Sequence, residues 1–444
     1  MHPDPHLGST AVDALAIAGG APVRRAPWPL WPRADEGTES IVREVLHSGR
    51  WAISGAYRGQ RSYERRFAEA FAAWNGVARC VPTTSGTSSL TIALLGLGIG
   101  PGDEVLVPGM TWVACASSVA CIGATPILVD VEPDTLAMSL DAARAAIGPR
   151  TRAIMLVHTF CRLADIDGFV ALAARHGIPL IEDCSQAHGA RWRGQRVGSF
   201  GTVGCFSMQQ AKVLTSGEGG AAITNDERLY ARMEQLRCDG RVFAPQPREG
   251  RLELVEVGEV QGQNLCLSEI QAAILLDRLT HVDAENAVRR ERVALLEALL
   301  AEKVPGVRTL PAQEGAEQTY CNLVLRVDTD AFAGCTIDVI ARALGDELRA
   351  NILPIYDPLD RHRLYSPLRS PRIPHDEAHR RALDPTRFHL PNALAARARC
   401  FLIPHYLLLD GPEGMHDIAN ALAKIQANAG ALRDLGAPAP SERS

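Results

Sequence analysis

No apolar run in these 444 residues is long enough to span a bilayer as a helix, which argues against a membrane-embedded chain. A basic surplus is also missing. Lys and Arg total 46 against 51 Asp and Glu, for a net charge of −5, so no electrostatic footprint for nucleic acid is present. The 11 cysteines, scattered from Cys80 to Cys400, contain no Cys-x-x-Cys pair. A zinc site or a disulfide framework is therefore not expected, and the thiols read as small buried side chains in a reducing compartment. The opening "MHPDPHLGST" lacks a basic-then-apolar export pattern, so a cytoplasmic location is expected. No Gly-x-Gly-x-x-Gly follows the first strand of an α/β unit, and no phosphate-loop Gly-x-x-x-x-Gly-Lys-Ser/Thr occurs; this disfavours dinucleotide and nucleoside-triphosphate sites. Internal repeats and a low-complexity core are likewise absent.

What is present has the composition of a globular protein, with a hydrophobic fraction of 46%. The length is too great for one ordinary core and predicts two domains. Between about residues 60 and 225, short β-branched runs alternate with helical periods that end in glycine. "ARCVPTT", "DEVLVPG", "TPILVDV", "RAIMLVH" and "IPLIEDC" read as strands. "SYERRFAEAFAAWNG", "SSLTIALLGLG", "TWVACASSVACIG", "LDAARAAIG" and "DIDGFVALAARHG" read as helices. That alternation predicts an α/β fold with a mostly parallel sheet covered on both faces. Residues 267–303 read as one long helix or two in series, linking to a smaller α+β domain that holds "TYCNLVLRVD" and "TIDVIARALGDELRAN". The expected division is a large domain over 15–280, a small C-terminal domain over 281–430, and disordered tails at 1–14 and 431–444. The stretch from Leu353 to Arg399, rich in Pro, Arg and His, reads as mostly loop.

In open α/β sheets, ligands sit beyond the carboxyl ends of the strands, so the residues there carry most weight. Ser85-Gly86-Thr87 follows "ARCVPTT" and opens a helix. Its backbone N–H groups, hydroxyls and positive helix end suit a phosphate, though an ordinary N-cap is the plainer reading. Trp112 follows the next strand and suits stacking on a planar ligand, with core packing as the alternative. "IPLIEDC" ends in Glu182-Asp183, whose side chains must face opposite ways. A buried carboxylate there needs a cation or a ligand. Lys212 stands in "FSMQQAKVLTSGEGGAAIT", five residues after Ser207 and ahead of Gly217, Gly219 and Gly220. A lone lysine in such a loop is usually solvated. Together, however, these are the parts that a pyridoxal 5'-phosphate site requires: an amine, a carboxylate for the ring nitrogen, a phosphate cradle and an aromatic cover.

The order Ser-Gly-Thr, Thr-Trp, "EDCSQAHGA" and "FSMQQAKVLTSGEGG" resembles the DegT/DnrJ/EryC1/StrS aminotransferases, from about Leu15 to about Ala427. "WPRAD", "SGRWAISG" and "NLCLSEIQAAILLDRL" are similar to the subgroup that aminates scyllo-inosose or 2-deoxy-scyllo-inosose with L-glutamine. The resemblance implies a fold-type I pyridoxal-phosphate enzyme. It implies that Lys212 bonds the cofactor and moves the proton, and that Asp183 pairs with the ring nitrogen. Gln186 would approach the ring's phenolic oxygen and Trp112 would stack on the ring. Ser85, Gly86, Thr87 and Ser207 would hold the phosphate, joined by Asn264 from a neighbouring subunit, hence a homodimer with shared sites. His158, Arg162, Tyr356 and His405 are weaker candidates for the substrate's surroundings. No metal, nucleic acid or membrane partner is implied. Two features depart from the subgroup: Ala211 before the lysine, where Thr is expected, and "HTFCRLADID" at 158–167. A nucleotide-sugar aminotransferase, which needs basic groups for a diphosphate, is the alternative within enzymes. A non-catalytic regulator of the same fold is the alternative outside them, and the Lys212–Asp183 pair disfavours it.

Overall fold

The computed structural model of this chain describes residues 14–369 and 376–436. Seven strands form the main sheet: β1 (Arg79–Thr83), β2 (Glu104–Pro108), β3 (Thr125–Val129), β4 (Thr151–Val157), β5 (Leu180–Asp183), β6 (Val203–Ser207) and β7 (Gly220–Thr224). Their order is β1-β7-β6-β5-β4-β2-β3. The pairs β2–β3, β2–β4, β4–β5 and β5–β6 are parallel, whereas β7 runs antiparallel to both β1 and β6. The sheet is mostly parallel, as the strand–helix alternation predicts.

The strands read as continuous apolar runs because both faces are covered. In β4, Ala153, Met155 and Val157 pack into one core while Ile154 and Leu156 pack into the other. Helices α1 (Tyr63–Asn75), α2 (Gly86–Gly96), α3 (Ala114–Cys121) and α4 (Ile166–His176) belong to these layers. Glycines stop two of them: Gly76 and Gly177 take left-handed φ of 72° and 61° and return their N–H groups to the last-turn carbonyls.

Residues 267–303 form two helices in series, α5 (Glu269–Leu279) and α6 (Val282–Lys303). The first opens on a capping box between Ser268 and Gln271. Beyond α6 lies a four-stranded antiparallel sheet of β8 (Val307–Thr309), β9 (Asn322–Val327), β10 (Leu353–Pro354) and β11 (Cys400–Pro404), in the order β8-β9-β11-β10. Leu296, Leu325, Ile340, Phe401 and Ile418 centre its core.

The stretch read as mostly loop is largely that among the described residues, with two short helices inside it, Glu377–Leu383 and Pro391–Arg397. Proline opens the second, where its missing N–H has no acceptor to lose and its fixed φ suits the first turn. The Asp130 carboxylate accepts the next two amides, from Asn392 and Ala393. Residues 431–436, expected to begin a disordered tail, continue as helix Ala429–Gly436, with Leu432 fully buried. The N-terminal stretch, up to residue 13, and residues 437–444 lie outside the described residues. Among the described residues, no helix is long and apolar enough to cross a membrane.

Candidate active site

Helix α2 begins directly at the end of β1. Ser85 is its N-cap, in extended conformation, with Oγ accepting from Ser88 N–H. The N–H groups of Gly86 and Thr87 belong to the first turn, which has no intrahelical acceptors, and they sit at the positive end of the helix. Backbone crowds this corner. A Cβ on Gly86 would lie 2.6 Å from Ser207 Cβ, and one on Gly220 would lie 2.2 Å from the Ser85 carbonyl oxygen. Only glycine lets β6, β7 and the helix start meet this closely.

The loop after β6 folds tightly. Lys212 N–H donates to Gln209 O at 2.8 Å, and Met208 N–H donates to Gly219 O at 2.8 Å. Thr215 Oγ1 closes the turn onto Met208 O at 2.9 Å. Lys212 is half-buried, and among the described residues it makes no ion pair. It enters a cavity of about 420 Å³, within the usual size of a small-molecule site. Ser85, Gly86, Thr87, Trp112, Asp183, Gln186, Ser207, Lys212 and Tyr356 all line this one cavity. Residues that start far apart in the chain thus converge at the carboxyl edge of the sheet.

Asp183 is 4% exposed and turns into the cavity. Its Oδ1 accepts from Ser185 N–H at 2.9 Å, and its Oδ2 accepts from the Cys115 thiol at 3.1 Å. Glu182 points to the opposite face. There it accepts the amides of Gly198, Phe200 and Gly201 and the Nε2–H of His158. His158 is therefore committed to Glu182 and does not line the cavity.

The unusual stretch after β4 has a structural explanation. Phe160 and Cys161 both take left-handed φ, 55° and 57°, which is uncommon for residues with side chains. Gln186 Oε1 accepts from Phe160 N–H at 2.8 Å, and Cys161 Sγ accepts from Thr319 N–H at 3.2 Å. This turn drives Phe160 behind Tyr356, ring centroids 5.0 Å apart. It also carries Arg162 away from the main cavity. The guanidinium donates to Gln318 Oε1, Thr135 O and Pro311 O beside a smaller neighbouring cavity, and burial holds its pKa below the usual value.

Tyr356 takes a hydrogen bond from Gln186 Nε2 at 3.5 Å, and burial pushes its phenol pKa up, so it stays protonated. Trp112 is 46% exposed, lines the cavity, and stands 5.7 Å from Tyr356 between ring centroids. His405 is fully enclosed and lies outside the cavity's lining. Its Nδ1 is 3.2 Å from an Arg289 nitrogen that can only donate, so Nδ1 accepts and the proton sits on Nε2. Burial, then Arg289, holds its pKa well below the ordinary imidazole value. Asn264 is exposed and also away from the cavity. Its segment is tied to the link between β1 and α2, because Thr84 N–H donates to Leu265 O at 2.9 Å.

Several lining residues were not foreseen: Cys115, Cys321, Asn322 and Gln209. Cys115 had a weak signal, since it stands just after the Thr111-Trp112 pair at the end of a strand. Cys321 and Asn322 had none; they arrive at the start of β9 in the second sheet. Trp31 was also missed. Its Nε1–H donates to Gln210 O at 2.9 Å, and its ring meets His405 edge-on at 4.5 Å, so the N-terminal segment braces the lysine loop.

The donor set fits pyridoxal phosphate. A helix start with free amides suits an anion, an exposed indole suits a planar ring, a buried carboxylate suits a cationic nitrogen, and one amine without a counter-ion reaches the same space.

Comparisons with known proteins agree. The sequence profile of the DegT/DnrJ/EryC1/StrS aminotransferase family matches residues 32–422. The L-glutamine:2-deoxy-scyllo-inosose aminotransferase of Streptoalloteichus tenebrarius is 51% identical over 423 residues, 94% of this chain and 99% of that protein. The L-glutamine:scyllo-inosose aminotransferase of Streptomyces griseus is 43% identical over 418 residues, 94% of this chain and 98% of that protein. Among solved structures, 3-amino-5-hydroxybenzoic acid synthase superposes with a TM-score of 0.76 at 30% identity, over 90% of this chain and 99% of that one.

Proposed function

We propose, from the premise that this chain belongs to the DegT/DnrJ/EryC1/StrS aminotransferase family, that it moves the amino group of L-glutamine to a keto-cyclitol of the scyllo-inosose type. The chain is a pyridoxal-phosphate-dependent aminotransferase, and its setting is the biosynthesis of an aminocyclitol natural product in the cytoplasm. When bound, pyridoxal phosphate supplies an aldehyde that condenses with amines and a ring that accepts the electron pair released when a proton leaves the neighbouring carbon.

The chain's own residues do the rest. Lys212 would hold the cofactor through its amine, and its Nζ would take the proton from the donor's Cα and, in the second half-reaction, return one to the acceptor carbon that is aminated. Asp183 keeps the ring nitrogen protonated through a charge-assisted hydrogen bond. The amides of Gly86 and Thr87, with the Ser85 and Ser207 hydroxyls, hold the phosphate. Trp112 covers one ring face, and Gln186 borders the ring's phenolic oxygen. Cys321, Asn322 and Tyr356 close the pocket from residues 281–430, taken here as the second domain against a first over 15–280. Asn264 reaches the phosphate of a second copy, so the working unit is a homodimer with shared sites. The exposure of Asn264 and its tether at Leu265 support this.

One observation carries the choice of acceptor. Among the described residues that line the cavity, Lys212 is the only basic side chain. A nucleotide diphosphate calls for converging arginines or lysines, whereas a polyol ring needs only the hydroxyls and amides found here. The described arginines of the 361–399 stretch, which could have served a diphosphate, do not line it.

A steady-state panel tests the reading. The purified enzyme receives L-glutamine or L-glutamate with scyllo-inosose, 2-deoxy-scyllo-inosose or a nucleotide-linked keto-hexose. Amination of a free cyclitol with glutamine preferred is expected. Use of the nucleotide sugar alone would overturn the acceptor assignment and leave the family intact.

A further inference from the structure

We infer that Cys115 is a positioning residue of the active site, its thiol aligning the Asp183 carboxylate while leaving that carboxylate's charge for a cationic partner. The inference rests on the reading that Asp183 pairs with the ring nitrogen, but the hydrogen bond it invokes belongs to the protein without cofactor.

Three observations support it. First, Cys115 is 2% exposed, stands in the first turn of α3, and lines the same cavity as Asp183. Its Sγ–H donates to Asp183 Oδ2 at 3.1 Å. Second, Thr111 Oγ1 is 3.5 Å from that sulfur. A thiol carries one proton, and Asp183 has it, so the Thr111 hydroxyl donates to sulfur. The chain of donors runs from Thr111, in the bend before α3, to Cys115 in its first turn, and on to Asp183. Third, Ser185 N–H holds the other oxygen, Oδ1. With both oxygens held, the carboxylate cannot rotate about its last torsion.

The choice of sulfur has a chemical reason. S–H is a weaker donor than O–H or N–H. A hydroxyl in this place would draw more charge from Oδ2 and compete with the cationic nitrogen. A thiol orients the carboxylate at less cost to its basicity. Burial, together with the Asp183 charge, pushes the thiol pKa well up, so the proton stays on sulfur through the working pH range. Cys115 is thus neither nucleophile nor redox centre; it acts only through Asp183.

Infrared spectroscopy of the cofactor-free protein provides the first test. The S–H stretch falls in a window clear of other protein bands, and a wild-type minus Cys115→Ser difference isolates one thiol among the 11 cysteines. A band displaced to lower frequency than in the unfolded protein is expected, returning toward the unfolded position in Asp183→Ala. A Cys115 band at the unfolded position in wild type would overturn the inference. The second test uses the holoenzyme. Cys115→Ala should weaken pyridoxal-phosphate binding about 3- to 10-fold, as the loss of one modest hydrogen bond allows. Cys115→Ser should restore affinity to within about twofold yet shift the pH at which the bound cofactor's absorbance titrates, because a stronger donor now competes for the carboxylate. An unchanged titration in both variants would reduce Cys115 to a space-filling role and overturn the inference.

Discussion

Glu182 and Asp183 are neighbours on one strand yet face opposite sides of the sheet, and each is fully engaged where it points. Glu182 fastens the loop at 198–201 through three backbone amides, while Asp183 meets the cavity with a thiol and one amide behind it. Substitution should separate their roles. Glu182→Gln turns an acceptor oxygen toward backbone donors as an NH2 group. It should lower folding stability by about 1–3 kcal/mol and leave turnover per folded, cofactor-loaded molecule unchanged. Asp183→Asn should keep fold and cofactor but lose roughly 10- to 100-fold in kcat, the worth of a charge-assisted hydrogen bond. Denaturant melts and single-turnover rates decide. Near-normal turnover in Asp183→Asn would assign the ring nitrogen to another group.

Lys212 is the only amine lining the cavity among the described residues. Borohydride reduction of the yellow holoenzyme, followed by peptide mass spectrometry, should place the pyridoxyl group on Lys212. Lys212→Ala should show neither the label nor turnover. A label on another lysine would refute the assignment.

Arg162 was a candidate for the substrate's surroundings, and the fold directs it elsewhere. Its guanidinium serves three neutral acceptors: Thr135 O, Gln318 Oε1 and Pro311 O. Arg162→Leu strands those acceptors. A loss of about 1–3 kcal/mol in stability is expected, with little change in the donor's KM. A KM for glutamine raised tenfold or more at unchanged stability would return Arg162 to the binding site.

His188 is fully buried. Burial, and then the Lys212 charge, lowers its pKa to about 3 from the ordinary 6.5. Between those values the unfolded chain binds a proton that the folded chain refuses, so this group makes stability fall as the pH drops below 6.5. At pH 5 the cost is about 2 kcal/mol, from roughly 1.5 pH units at 1.36 kcal/mol each. Comparing urea melts of wild type and His188→Leu at pH 5 and pH 7.5 isolates it. The variant should lose less stability on acidification. Equal losses would show that His188 titrates normally in the fold.

Asn264 is exposed in the single chain, away from the cavity it is proposed to serve. If it completes a partner's phosphate site, Lys212→Ala and Asn264→Ala subunits should complement when mixed. Each mixed dimer then holds one site with both residues intact. No recovered activity, with subunit exchange shown by a mass tag, would confine each site to its own chain.

Much of the architecture was legible in the sequence because it rests on local chemistry. Strand and helix periods, Ser85 at a helix start, the opposed faces of Glu182 and Asp183, and the glycines around Lys212 follow from backbone hydrogen bonding and side-chain direction over a few residues. The helix at Pro391 was locally written too, and was misread because proline marks a helix start as readily as a loop. Other features depended on partners far away in the chain. The turn at Phe160 and Cys161 is held by Gln186 and Thr319, and Arg162 is drawn off by Pro311 and Gln318, 149 and 156 residues distant. Cys321 and Asn322 enter the site only when the second sheet docks. A side chain at a chain reversal goes where an acceptor waits, and no periodicity encodes that acceptor. The local settings of Lys212 and Asp183 are thus written in the sequence, whereas the walls of their cavity and the thiol behind Asp183 are set by long-range packing.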